Sequence, residues 1–194
     1  MSLQSFCQDL QEAVACLRGG HALIFPTETF YGLGCLATDS VAVARVYQLK
    51  RRPVHKPLPL LAASVDQVRA VACLEAMPEA LAAFWPGPLT MILPKKDTVP
   101  DETTGGLDTV AVRFPSHPVA QRLIDAAGGF VAAPSANTSG RPSPTKAEHV
   151  IADLADKIGM IVDGGEVGIG LESTIVDFTE EIPTVLRPGY LDLE

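Results

Sequence analysis

The sequence predicts a mixed α/β (α+β) fold, in which one twisted, open sheet of mixed strand direction is surrounded by helices. About eight short apolar runs of strand character are interspersed with six helical segments. The two kinds do not alternate strictly, which favours a mixed sheet over an all-parallel one. The 194 residues, 47% of them hydrophobic, are expected to form a single domain spanning 1–194. A chain of that length can bury roughly 70% of its unfolded surface and needs no disulfide or metal staple.

Each element has its own signal. Phe6, Leu10, Val14 and Leu17 recur at helical spacing, and Gly19-Gly20 supplies a stop. "HALIF" reads as a buried strand ended by Pro26, and "PTETFYGLG" as a polar loop with flexible glycines. Val43, Val46 and Tyr47 form the inner stripe of the next helix, with Lys50 on the same stripe. That helix stops before Pro53, because the residue preceding a proline disfavours the α region. Leu58–Ala63 is a short strand, and Ser64 with Gln67 forms a capping box for a helix bearing Val65 and Val68. Leu81, Phe84 and Trp85 mark a short helix broken by "PGP", and "LTMILP" is a strand. Residues 95–108 lack an apolar period and read as an exposed loop. "TVAVRFP" is a strand, and "HPVAQRLIDAAGG" a helix with Pro118 in its first turn and glycines after its end. "FVAAPSAN" reads as a strand entering "TSGRPSPT", a loop of small hydroxyls. Thr145 and Glu148 suggest a capping box for a helix with Val150, Ile151, Leu154 and Ile158 inward, and "MIVD", "STIVDF" and "TVLR" close the chain as strands.

Composition excludes several classes. No apolar run approaches the ~20 residues needed to span a bilayer, and the N-terminus has no basic signal-peptide region, so a cytoplasmic protein is expected. Cys7, Cys16, Cys35 and Cys73 form no CxxC pair and read as reduced thiols. With a net charge of -8 the surface repels nucleic acid, so any RNA contact needs a local patch. The four histidines lack metal-ligand spacing, and neither a GxSxG elbow nor a GxxxxGK[ST] loop occurs. "GLGCLA" at 32–37 matches GxGxxA, but no helix begins at it and cations stand where a ribose-binding acid belongs.

Two constellations carry chemistry. "KRRPVHKP" at 50–57 gathers cations at a helix C-terminus and freezes them between prolines. One reading is a solvated helix end facing the negative pole of its dipole; the other is a polyphosphate wall, with Arg as bidentate fork and Lys as point charge. Ser135 and Asn137 stand where a strand ends, the usual place for ligand groups in open α/β sheets, and alternate residues of an extended stretch face one side. Their alternative is a turn built by local hydrogen bonds. Arg113 and Arg187, each closing an apolar strand, are either strand-edge charges or anion clamps.

Taken in order, "PTETFYGLG", "KRRPVHKPL", "WPGPLT", "VAVRFP", "PSANTSGRPSPT" and "ESTIVD…LRPG" resemble the YrdC-like family of L-threonylcarbamoyl-AMP synthases, from about Ala22 to Gly189. The resemblance implies a YrdC/RibB-like twisted open mixed sheet around a large, positively lined cavity. It implies a nucleotidyltransferase that condenses ATP, L-threonine and bicarbonate (or carbon dioxide) into threonylcarbamoyl-AMP and releases pyrophosphate. The product would pass to a downstream tRNA threonylcarbamoyl-transferase machinery that modifies the adenosine next to the anticodon. By resemblance, Lys50, Arg52, Ser135 and Asn137 form the catalytic tetrad on the nucleotide phosphates. Lys56, Thr109, Ser143 and Arg187 match further ATP-contacting positions. Thr27, Tyr31, Arg113, the backbone near Ala133 and Ser173 match the threonine pocket. Mg²⁺ would enter mainly on the ATP phosphates. Leu61 stands where longer relatives often carry a threonine-contacting His, and the extra C-terminal domain of the longer form is expected to be absent. The alternatives are an RNA-binding module that contacts tRNA or double-stranded RNA without catalysis, and carbamoyl transfer like that of the related HypF domain.

Overall fold

The computed structural model describes residues 3–75, 83–154 and 157–192, with side chains described from residue 9 onward. Its helices are α1 (Leu3–Arg18), α2 (Ser40–Lys50), α3 (Val65–Val71), α4 (Asp101–Thr104), α5 (Pro118–Ala127) and α6 (Ala147–Leu154). Its strands are β1 (Leu23–Pro26), β2 (Tyr31–Leu36), β3 (Leu60–Leu61), β4 (Leu89–Pro94), β5 (Thr109–Arg113), β6 (Val131–Ala132), β7 (Thr174–Asp177) and β8 (Thr184–Arg187). All eight strands join one sheet in the order β1-β2-β6-β3-β5-β4-β7-β8. The β3–β5 and β4–β7 pairs are parallel and the others antiparallel, so the sheet is mixed as expected.

Strand alternation decides what each face of the sheet does. Val110 and Val112 of β5, with Met91 and Leu93 of β4, turn to one side. There they pack with Val43 and Val46 of α2, Val68 and Val71 of α3, and Val150 and Leu154 of α6. On the opposite side, Leu61 and Val131 pack against Ala13 and Leu17 of α1 and against Leu123 and Ile124 of α5. Thr90 and Ile92 of β4, Ala111 and Arg113 of β5, and Ile175 of β7 instead line an open hollow. Among the described residues, no helix is long and apolar enough to cross a membrane.

Local signals explain the helix ends. Asp39 caps α2 by accepting from the backbone N–H of Val41 and Ala42, both at 3.0 Å, a cap worth about 1 kcal/mol. Ser64 Oγ accepts from Gln67 N at 3.2 Å, and Gln67 Oε1 reaches back to Ala63 N at 2.7 Å, a capping box displaced by one residue. Pro118 opens α5, and Gly128 closes it with φ at 73°.

Several expectations need correction. Residues 31–36 form strand β2, antiparallel to β1, so "YGLG" is no loop. A Cβ on Gly34 would stand 2.5 Å from Phe25 and 2.8 Å from Val131, so this glycine serves close packing rather than flexibility. The 95–108 segment contains α4 and buries Thr103 and Thr104. Thr103 Oγ donates to the Ala37 carbonyl at 2.8 Å, and its own carbonyl accepts from Leu58 N at 2.9 Å. Hydrogen bonds and the single buried apolar side chain of Val99 fix that segment, so no apolar period is there to be read. Only Val131–Ala132 of "FVAAPSAN" and Leu60–Leu61 of 58–63 are strand, and "MIVD" contributes a single bridge, Ile161 to Ile24. The α6 helix begins at Ala147, beyond the N-cap position proposed for Thr145, whose hydroxyl lies 3.5 Å from His149 Nδ1. Ile151 of that helix is half exposed. Leu81 lies outside the described residues; Phe84 is in a turn, and Trp85 is buried with its indole N–H on the Leu89 carbonyl.

Candidate active site

The hollow encloses about 290 Å³. Three guanidinium groups, Arg52, Arg113 and Arg187, line it together with Thr27, Thr29, Thr90, Ser135 and Ser173. The floor is the sheet face just described. The walls are the 27–30 turn after β1, the chain following α2 and the 133–135 segment after β6.

The cation triplet at the end of α2 splits three ways. Arg51 takes a left-handed conformation with φ at 50°, which ends the helix and turns the chain. Lys50, before it, is only 2% exposed. Its Nζ donates to the Ser135 carbonyl, to the Asn137 carbonyl at 2.6 Å and to Asn137 Oδ1 at 3.4 Å. Its three donors therefore meet three protein oxygens, and Lys50 does not line the hollow. Arg52, after the turn, does line it, with Nε on the Lys56 carbonyl at 3.1 Å and Nη2 on the Pro57 carbonyl at 2.9 Å. Lys56 is exposed and stands outside the lining, because the 53–56 turn aims its carbonyl at Arg52 and Tyr47 and leaves its side chain outward.

Burial, then the nearby Arg52 charge, pushes the Lys50 ammonium down to about 8. The unfolded chain therefore holds this proton more tightly than the folded one between pH 8 and 10.5, so stability rises with pH across that window. Subtracting the profile of Lys50→Met should isolate a contribution of about 3 kcal/mol from denaturation curves at pH 8 and 10.5. Parallel profiles for the two proteins would contradict it.

The other predicted residues divide as follows. Ser135 Oγ donates to Asn137 Oδ1 at 2.6 Å, so the two side chains do meet. Ser135 lines the hollow, while Asn137 turns to an adjoining cavity of about 220 Å³ that also takes Ser143. Arg187 donates from Nη2 to the carbonyl and hydroxyl of Ser173 at 2.8 and 3.0 Å. Ser173 Oγ lies 2.8 Å from Thr90 Oγ. Burial lowers the affinity of Arg52 and Arg187 for their protons. Thr27 Oγ donates to the Phe30 carbonyl at 2.7 Å and accepts from the N–H of Thr29 and Phe30, which closes the 27–30 turn. Tyr31 borders the hollow, but its hydroxyl turns to Asp163 at 3.0 Å and the Gly165 carbonyl at 2.7 Å, and burial pushes it up to about 12. Ala133 and Leu61 both line the hollow, and the Ala133 N–H is engaged by the Pro59 carbonyl. Thr109 lies outside the lining. It falls on the same strand face as Ala111 and Arg113, four residues from the arginine.

Sequence reasoning missed both acids of the site. Glu28 Oε1 lies 2.6 Å from Arg113 Nη2, with both side chains about nine-tenths buried. The angles leave both Glu28 oxygens and Arg113 Nε and Nη2 without an aligned hydrogen bond, so Coulomb attraction holds this contact. Arg113 Nη1 donates to Thr29 Oγ at 2.9 Å. Glu172 lines the hollow itself; its Oε1 accepts from Ser143 Oγ at 2.8 Å, and its Oε2 stands 3.6 Å from Arg187 Nη1. The available signal for each was an acid next to hydroxyls, between two threonines in "TET" and just before Ser173 and Thr174 in "EST".

Comparison with known proteins agrees with this architecture. The Sua5_yciO_yrdC family profile, described as Telomere recombination, matches residues 15–189. The threonylcarbamoyl-AMP synthase of Pyrococcus abyssi is 52% identical over 184 residues, covering 94% of this chain and 54% of the relative. The Bacillus subtilis protein of the same name is 47% identical, covering 95% of this chain and 54% of the relative. The chain thus spans about half the length of these curated relatives. The crystal structure of P. abyssi Sua5 complexed with L-threonine superposes with a TM-score of 0.89 at 49% identity, covering 93% of this chain and 54% of that one. Ordered motifs, sheet topology and the arginine-lined hollow lead to one assignment: the chain belongs to the Sua5/YciO/YrdC family.

Proposed function

We propose that this chain is the catalytic unit of an L-threonylcarbamoyladenylate synthase. The observation that carries the reading is the convergence of Arg52, Arg113 and Arg187, with serine and threonine hydroxyls, on one hollow. The names of the P. abyssi and B. subtilis relatives support it.

The chemistry suits such a site. The threonine amine adds to carbon dioxide and loses a proton, giving a carbamate. A carbamate oxygen then attacks the α-phosphorus of ATP in line, and the bond to the pyrophosphate oxygen breaks. Such a transfer needs positioning and charge neutralisation rather than a protein nucleophile. Arg113, held by Glu28 and Thr29, would take the threonine carboxylate. Arg52 and Arg187 would face the phosphates, and Ser135 and Ser173 would orient the remaining oxygens. Lys50, its donors already matched, would serve by fixing Ser135 and Asn137. Among the described residues no group of three or more His, Cys, Asp and Glu gathers around a metal position. Mg²⁺ would enter on the triphosphate oxygens, where it would offset phosphate charge. In the cytoplasm the product would pass to a tRNA-modifying transferase.

The test is to incubate the protein with ATP, Mg²⁺, bicarbonate and labelled threonine and to follow pyrophosphate and the labelled adenylate. Threonine should drive pyrophosphate release far above serine or no amino acid; release independent of the amino acid would remove the proposal.

A further inference from the structure

An acid inside an anion-binding hollow needs an explanation. Two of the three guanidinium groups there have a carboxylate partner, and the two carboxylates stand differently. Glu28 sits behind Arg113, outside the lining and 8% exposed, so a ligand need not move it. Glu172 is the one acidic side chain in the lining, and its side chain is 44% exposed. One hydrogen bond from Ser143 and a looser 3.6 Å contact with Arg187 hold it. Arg187 has firmer bonds of its own to Ser173 and stays placed without Glu172. A hydroxyl donor and a guanidinium on one pair of oxygens is also what a phosphate oxyanion would receive.

On the basis of the nucleotide reading above, we propose that Glu172 is a resident anion that occupies a phosphate position in the ligand-free hollow and is displaced when polyphosphate binds. The carboxylate neutralises Arg187 while the site waits, which lowers like-charge repulsion among the arginines. An incoming phosphate takes over Ser143 Oγ and Arg187 and repels the carboxylate outward into solvent. Glu172 therefore competes with the ligand, and its charge weakens anion binding in the resting enzyme. The neutral amide of Glu172→Gln keeps the shape and an acceptor for Ser143 but removes that competition.

Calorimetric titration with inorganic pyrophosphate, with and without Mg²⁺, separates the outcomes. Glu172→Gln should bind pyrophosphate roughly three- to fivefold more tightly than the wild type in both arms, the scale of a partly exposed ion pair. Glu166→Gln, which removes an exposed acid paired with Lys146 at 3.2 Å, serves as the charge control and should bind like the wild type. Equal or weaker binding by Glu172→Gln overturns the proposal, and weakening confined to the Mg²⁺ arm overturns it in favour of a metal-ligating carboxylate. No pyrophosphate binding by the wild type would overturn this proposal and the nucleotide reading beneath it together.

Discussion

Glu28→Ala should lower the unfolding free energy by about 3–5 kcal/mol, because it strands the Arg113 guanidinium in a site where both partners are almost fully buried. Taking a lone charge out of water is expensive, and the hydroxyl of Thr29, the remaining hydrogen-bond partner, cannot replace a counter-charge. The pair already lacks aligned hydrogen bonds to offset its desolvation. Replacing both groups with apolar side chains of similar size, Glu28→Leu with Arg113→Met, should therefore recover most of the loss. The double variant should nonetheless be inactive, since the guanidinium assigned to the threonine carboxylate is gone. Urea denaturation of the wild type, single and double variants measures these terms. A Glu28→Ala protein within about 0.5 kcal/mol of wild type would show that Arg113 finds its compensation elsewhere.

The second large effect is expected at Arg52. Arg52→Ala should cut threonine-dependent pyrophosphate release by ~10²-fold or more, the scale of losing one preorganised charge contact, and should abolish measurable ATP binding. The fold should survive. Among the described residues Arg52 donates to the carbonyls of Lys56 and Pro57, and the Lys56 carbonyl keeps the Tyr47 hydroxyl at 3.0 Å. Arg52→Lys should recover part of the rate, because the charge returns without the planar fork. ATP affinity at the wild-type level in Arg52→Ala would contradict the placement of this side chain on the phosphates.

Much of this arrangement is legible in the chain. The β4, β5 and β7 runs read directly, because each sends apolar side chains into a helix-covered core, whereas β8 reads from residue type alone, its Val185 and Leu186 being exposed on the sheet edge. The inward position of Lys50 follows from its place on the Val43, Val46 and Tyr47 stripe. The placement of Ser135 and Asn137 reads only in part: their side chains meet, but β6 already ends at Ala132, and only Ser135 faces the hollow while Asn137 turns to the adjoining cavity. What does not read is anything fixed by long-range hydrogen bonds or by charge pairing across the sheet. Strand β2 hides behind glycines whose role is to let Phe25 and Val131 approach. Helix α4 hides behind Thr103, whose hydroxyl bonds to the distant Ala37 carbonyl and whose own carbonyl accepts from Leu58 N. Glu28 and Glu172 are separated by 144 positions, and nothing local in the sequence says that each meets an arginine of the same hollow. The outward turn of Lys56 depends in the same way on one tight turn after Pro53.

The left-handed backbone at Arg51 gives three neighbouring residues of like charge separate addresses: interior for Lys50, water for Arg51, the wall of the hollow for Arg52. Reading frame along the backbone therefore matters more here than the tally of positive groups. Deleting one residue between Gln48 and Pro53 would keep the local composition nearly intact, yet it would empty the lysine's slot and swing the next cation away from its station.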